Sequence, residues 1–293
     1  MATVCVVGSA NLDLVATTKR LPGAGETVLG TSYAEHPGGK GLNQAIAAAR
    51  SGATTTFVGA VGGDDAGRAL LAVMAGDGVD AGAVLVRAGA PTGRALIAVD
   101  EHGENSIIVV PGANATVGID GDVAVPRATD VVLAQLEIPL DSVTAAFRAA
   151  RAAGARTVLN PAPATALPDE LLELCDVIVP NEHEVELLGG VDTLRTHGIA
   201  TVIVTLGGRG VRVVDGAGDR VLAAFDVTPV DTTAAGDAFC GALAAQLAFG
   251  TPIDDAVRWA MAAGALATTV AGAVPSIPHR AAVEQLRGAA AGQ

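Results

Sequence analysis

At 293 residues, half of them hydrophobic, the chain can bury a sizeable core as one large α/β domain or two small ones, and a disordered chain is not expected. A formal net charge of −13 with only two lysines, Lys19 and Lys40, argues against a nucleic-acid surface, which needs clustered Lys and Arg, and favours a small substrate. No apolar run reaches the roughly 20 strongly apolar residues of a membrane span and the N-terminus reads as a strand rather than a targeting peptide, so the expectation is no membrane partner and a cytoplasmic location.

In chain order, Val- and Ile-rich runs alternate with alanine-rich helical ones. "TVCVVG" (3–8) reads as a strand, "GLNQAIAAARSG" (41–52) as a helix, "TTTFVGAVG" (54–62) as a strand and "DAGRALLAVMAGDG" (65–78) as a helix. The pattern resumes with "TDVVLAQLE" (129–137), the helical "DSVTAAFRAARAAG" (141–154), "ARTVLNPAP" (155–163), "CDVIVPN" (175–181) and "ATVIVTLGGRG" (200–210). Gly52, Gly78, Gly154 and Gly198 stand where helices end and the next strand soon begins. The alternation predicts a single domain, 1–293, with a mainly parallel sheet covered by helices on both faces, a three-layer α/β/α fold. Two segments, about 12–36 and 92–112, instead carry strand patterns with turn signals and no helix, the second as a hairpin of 94–100 and 105–110. They predict a small sheet beside the main one, able to cover a site or pair between subunits. Cys5, Cys175 and Cys240 are far apart and lack a CxxC pair, so buried structural thiols are expected.

The chemistry collects around "VDTTAAGDAF" (230–239), directly before an alanine-rich helix. A helix N-terminus attracts anions, and Ala234, Ala235 and Gly236 would let a phosphate approach the backbone, with Asp237 in the first turn. From this stretch alone Asp237 could equally be a dipole-compensating residue. "PGGKGLNQAIAA" (37–48) is a second Gly-rich loop before a helix, yet it is no Walker A loop because Gly41 follows Lys40. Asn11, Asp13, Glu137, Asn181 and Glu184, with the "TLGGRG" loop, all follow predicted strands, the edge at which open α/β sheets place ligands.

Assembled in order, "GSANLDL", "GAGETV", "GGKGLNQA", "LNPAP", "PNEHEVE", "VTLGGRG" and "DTTAAGDAF" resemble the ribokinase branch of the PfkB carbohydrate kinase family over nearly the whole chain. The resemblance implies ATP-dependent phosphorylation of D-ribose at its 5-hydroxyl, with deoxyribose, another sugar or a nucleoside as alternative acceptors and a non-catalytic sugar or nucleotide sensor as the alternative of another class. It implies that Asp237 is the base and that the amides around Ala234, Ala235 and Gly236 form the anion hole. Asn11, Asp13, Gly38, Gly39, Lys40, Asn43 and Glu137 match sugar-binding positions. Asn181, Thr205, Gly207, Gly208, Gly210, Gly236 and Met261 match the ATP site, and Glu184 is associated with Mg²⁺ held through water. Asp231, Thr233, Ala267, Val270, Gly272 and Ser276 match loops that hold an activating K⁺. The β segments correspond to a lid that often joins a homodimer. One departure is the segment "VDTLRTH" (191–197), shorter than the family's helix there, which puts local packing in doubt.

Overall fold

The computed structural model describes residues 1–118 and 123–291. In chain order its elements are β1 (Thr3–Val7), β2 (Asn11–Thr18), β3 (Gly30–Gly38), α1 (Lys40–Arg50), β4 (Thr54–Gly62), α2 (Asp65–Gly76), β5 (Asp80–Arg87), β6 (Gly93–Val99), β7 (Asn105–Val110), β8 (Val131–Ala134), α3 (Leu140–Ala152), β9 (Arg156–Leu159), α4 (Asp169–Glu173), β10 (Val177–Ile178), α5 (Glu182–Leu187), α6 (Gly190–Thr196), β11 (Thr201–Thr205), β12 (Val211–Asp215), β13 (Gly218–Leu222), α7 (Ala235–Ala248), α8 (Ile253–Ala267) and α9 (Arg280–Ala291).

The main sheet has nine strands in the order β13-β12-β11-β10-β9-β8-β1-β4-β5, parallel from β11 to β5, with β12 and β13 added as an antiparallel hairpin. Strands β1 and β8 read as continuous apolar runs because both of their faces are covered. Along β1, Val4 and Val6 enter one core with residues of α1, α2, α7, α8 and α9. Cys5 and Val7 enter the other, with residues of α3, α4, α5 and α6. This is the expected three-layer α/β/α fold, and all three cysteines are buried and free. Gly52, Gly78, Gly154 and Gly198 follow α1, α2, α3 and α6 in the left-handed region, with φ of 98°, 70°, 78° and 87°, where lacking a Cβ costs nothing. The short segment 191–197 still forms most of α6, whose Leu194 is fully buried, so the core is closed there. Among the described residues no helix is long and apolar enough to cross a membrane.

The second sheet has four strands, β3-β2-β6-β7, built from the two segments expected to form it. Asn11, at the start of β2, pairs with Gly38 on one side and Gly93 on the other. The sheet is thus rooted where β1 ends.

Candidate active site

The parallel strands deliver their carboxyl ends to one edge: Ser9 and Asn11 after β1, Gln135 and Glu137 after β8, Asn160 after β9, Asn181 after β10, and Thr205 at the end of β11. The first turn of α7 completes the site. Asp237 is 7% exposed, and its carboxylate accepts hydrogen bonds from Asn43 Nδ2 and Gln44 Nε2, each at 2.9 Å. Before it, Ala234 sits in the left-handed region (φ 59°, ψ 6°), alone among the described non-glycine residues in having positive φ. Such a conformation costs an alanine about 1–2 kcal/mol and marks a backbone shaped for a purpose. At Gly236 an added Cβ would meet nothing within 4 Å, so the space in front of the positive end of α7 is open.

The second sheet brings Asp13 to this site. Burial first, then the neighbouring carboxylates of Glu137 and Asp237, push the Asp13 pKa up to about 7. Gly38 makes room for it, since a Cβ there would stand 2.1 Å from Asp13 Oδ2. Asn11 is buried, and its Oδ1 accepts from Asn114 Nδ2 at 2.7 Å. Gly39 is the N-cap of α1 with φ 91°; a Cβ there would come within 2.8 Å of the Asn11 nitrogen. The missing side-chain cap is supplied from afar. Glu137 Oε2 accepts from the Lys40 backbone N–H at 3.1 Å and from Ser9 Oγ at 2.5 Å, putting a carboxylate on the positive end of α1.

Toward β10 and β11, a cleft of about 220 Å³ is lined by Lys40, Asn160, Asn181, Glu184, Thr205 and Asp237, with Ala234, Gly236 and Cys240 also on its wall. Asn181 and Glu184 form a capping box on α5: the Glu184 N–H donates to Asn181 Oδ1 and the Asn181 N–H to Glu184 Oε2, both at 2.8 Å. Glu184 is 9% exposed; burial raises its pKa, against the opposing pull of the Asn181 N–H and the Lys40 and His183 charges. For Lys40, burial works against the ammonium, but Asp237, Glu137 and Glu184 outweigh it and keep the pKa above the ordinary lysine value. The side chain therefore remains a cation between carboxylates.

Residues 1–280 match the pfkB family of carbohydrate kinases. The chain belongs to that family. It is 39% identical over 293 residues to the ribokinase of Haemophilus influenzae, covering 95% of this chain and 96% of that protein. It is 41% identical over 300 residues to the bifunctional ribokinase/ribose-5-phosphate isomerase A of Fructilactobacillus sanfranciscensis, covering 97% of this chain and spanning 56% of that longer protein. The structure of Arabidopsis thaliana ribokinase complexed with ribose and ATP superposes with a TM-score of 0.88 at 33% identity, over 98% of this chain and 99% of that one.

In this pfkB-family kinase the sequence-matched residues fall into three groups. Asn11, Asp13, Gly38, Gly39, Asn43 and Glu137 meet beside Asp237, whereas Lys40, matched to the sugar, lines the cleft with Asn181, Glu184 and Thr205. Gly207, Gly208 and Gly210 form the turn between β11 and β12; Gly210 has φ 101°, and a Cβ there would stand 2.0 Å from the Leu222 oxygen. Met261 is buried in the core with other residues of α8 and is not among the residues lining the cleft. The third group is drawn together by Asp231. Its Oδ1 accepts from the Thr233 N–H and Oγ1, its Oδ2 accepts from the Gly272 N–H at 2.8 Å, and the N–H groups of Val230 and Asp231 reach the Thr268 oxygen. Ala267 ends α8 nearby in sequence, Val270 is exposed, and Ser276 is buried, donating to the Ala273 oxygen.

Gln44, Asn114, Gln135, Asn160 and Ser9 went unnoticed in the sequence. A larger cavity, about 680 Å³, opens at the opposite edge of the sheet near Arg156, Val177 and Thr201. Its size does not make it the site: it opens where β9, β10 and β11 begin, at the ends opposite those that carry the residues gathered above, and its carboxylates are already paired, Asp176 with Arg151 and Asp215 with Arg220.

Proposed function

We propose that this kinase transfers the γ-phosphoryl group of ATP to the 5-hydroxyl of D-ribose. The observation that carries the reading is the place of Asp237: a buried carboxylate on the first turn of α7, with the Asp13 side of the second sheet on one hand and the Lys40, Asn181 and Glu184 cleft on the other. Ribokinases matching over nearly full length support the substrate. Phosphoryl transfer needs an in-line hydroxyl, an acceptor for its proton and positive potential on the moving phosphate oxygens. Asp237 takes the proton, and the amides around Ala234, Ala235 and Gly236 face the phosphate. Lys40 is assigned to the phosphate rather than to the sugar. Asn11, Asp13, Gly38, Gly39, Asn43 and Glu137 surround the sugar hydroxyls, and the unpaired Oδ1 of Asn43 is ready to accept from one. Thr205 and the glycines at 207, 208 and 210 serve the nucleotide, while Met261 supports that side from the core.

Among the described residues no three His, Cys, Asp or Glu side chains cluster as a metal cage. Glu184, one of two buried carboxylates at the cleft with Asp237, fits a Mg²⁺ that keeps most of its water. Bound there with ATP, Mg²⁺ would neutralise phosphate charge. The joined loops suit a K⁺ held mainly by backbone carbonyls of Thr233, Ala267, Val270 and Gly272, with Ser276 beside them and Asp231 supplying negative charge. Unpaired buried cysteines and ATP use fit a cytoplasmic enzyme. The second sheet is the lid and joins two copies in a homodimer.

The test is ADP release from ATP with Mg²⁺ and K⁺, comparing ribose, deoxyribose, fructose and adenosine, with Asp237→Asn alongside. Ribose should be preferred, and the variant should lose at least about 10³-fold in kcat while still binding ribose. Preference for another acceptor would move the substrate, near-normal turnover of the variant would remove the base, and sugar binding without ADP release by the parent would make the chain a sensor.

A further inference from the structure

We propose that Gln44 and Gln135 form a buried relay that fixes the orientation of the Asp237 carboxylate; the proposal rests on Asp237 being the base. Gln44 and Gln135 are both fully buried, an uncommon place for glutamine. The amide of Gln44 spends both hydrogens, one on Asp237 Oδ1 at 2.9 Å and one on Asn160 Oδ1 at 3.0 Å. Asn160 is itself turned by its Nδ2, which donates to the Val179 oxygen at 3.0 Å. Gln44 Oε1 then accepts from Gln135 Nε2 at 2.6 Å. At the end of this chain, Gln135 Oε1 is buried without a donor.

Each orientation follows from the one before it. A carboxylate only accepts, so Gln44 must present its NH₂ to Asp237, which turns its oxygen toward Gln135. Gln135 must answer with its own NH₂, and its oxygen is left over. Reversing Gln135 would set two amide oxygens against each other or turn the Gln44 oxygen onto Asp237. The leftover acceptor lies against Gly8, where a Cβ would stand 2.1 Å from Oε1, so the backbone leaves space for the glutamine without giving it a partner. A buried unpaired acceptor costs stability, and an apolar side chain at 135 would remove it only by leaving Gln44 Oε1 unpaired in its place. What Gln135 supplies in return is the only donor to Gln44 Oε1 among the described residues, and through it a defined donor to the base. Gln44 and Gln135 are positioning residues in this reading, since neither lines the cleft.

The experiment measures kcat, KM for ribose and for ATP, and the melting temperature of Gln44→Met, Gln44→Glu and Gln135→Met beside the parent and Asp237→Asn. Loss of one charge-assisted hydrogen bond predicts kcat lower by roughly 10- to 100-fold in both Gln44 variants, with each KM within about threefold. Gln44→Glu keeps the shape but replaces the donor with a carboxyl group that repels Asp237 or shares a proton with it, so parental kcat in that variant would reduce Gln44 to a packing residue and overturn the relay. Gln135→Met is expected to lower kcat by roughly 3- to 10-fold while its melting temperature falls by no more than a few degrees, because it removes the orphan Gln135 acceptor and leaves Gln44 Oε1 orphaned in exchange. A fall in kcat with both KM values and the fold retained is not what a merely structural residue gives. Should the Gln44 variants fail to fold, Gln135→Met decides, and unchanged kcat there overturns the proposal. A parent that releases no ADP with ribose removes the kinase reading and the relay together; an active parent with intact Gln44→Glu and Gln135→Met activity removes the relay alone.

Discussion

Asp13 is a carboxyl group held near a pKa of about 7 by burial and by the carboxylates of Glu137 and Asp237, against an ordinary value of 3.8. Its folded state binds the proton more tightly than the unfolded chain does, so ionisation costs stability as pH rises from about 4 to about 7, and the cost is constant above that. Asp13→Asn removes the cost. The variant should melt at the parent's temperature near pH 4, progressively above it toward pH 7, and by a steady margin at pH 8, while ribose affinity falls at least about tenfold in calorimetry. A margin that shrinks with rising pH would contradict the cause assigned here. Asp13 and Asn11 were legible because each is a polar residue directly after a predicted strand. Gln44 and Asn114 were not, because an amide on an alanine-rich helix or in a loop looks like ordinary surface, and Asn160, although it follows a predicted strand, carries no sign in the sequence of the Gln44 amide it meets. Only the fold brings Gln44 to Asp237, 193 positions away, and Asn114 to Asn11, 103 away.

At the level of elements, α7 shows how one helix start separates stability from activity. Gly236→Val places a side chain in space that the folded protein leaves open, and valine is no worse than glycine in a helix. The melting temperature should therefore change by no more than a few degrees, while kcat/KM for ATP falls at least about 100-fold because the phosphate can no longer reach the amides. Equal retention of both would show that the anion does not bind at this turn. The two loops tied by Asp231 allow a second check. Replacing K⁺ with Na⁺ is expected to lower kcat several-fold in the parent and to have little effect in Asp231→Ala, whose loops lack their tie to Gly272. Parental indifference to the ion would remove the monovalent site. The strand and helix order was readable from apolar periodicity because both faces of the parallel sheet are covered. The β12–β13 hairpin was less visible: its outer residues are half-exposed and charged, and Arg212 and Asp219 pair across it instead of packing.

For the whole molecule, the decisive surface is the far edge of the lid. β7 is an edge strand, "NSIIVV", exposed along its entire length. Register with β6 puts Ile108 opposite Leu96 and Val110 opposite Arg94 on one face, and Ile107 and Val109 on the face that carries Asp13. Ile108 is 61% exposed and Leu96 43%. An uncovered apolar edge strand invites pairing, and natural sheets blunt such edges with charge, bulges or Pro; β7 has none of these along Ile107, Ile108, Val109 and Val110. In the proposed homodimer a second copy of the same lid would cover both faces, since a two-fold contact needs one self-complementary patch. Light scattering should therefore give twice the chain mass for the parent and a single chain for Ile108→Lys. Because β2 carries Asn11 and Asp13 in the same sheet, the monomeric variant should also bind ribose several-fold more weakly and hydrolyse more ATP without sugar, as a loosened lid admits water. A parent that is monomeric would leave the chemistry at Asp237 untouched and give the apolar edge another partner. A dimer that survives Ile108→Lys would place the contact elsewhere, and the fate of ribose affinity in that variant would then tell whether the lid closes by itself.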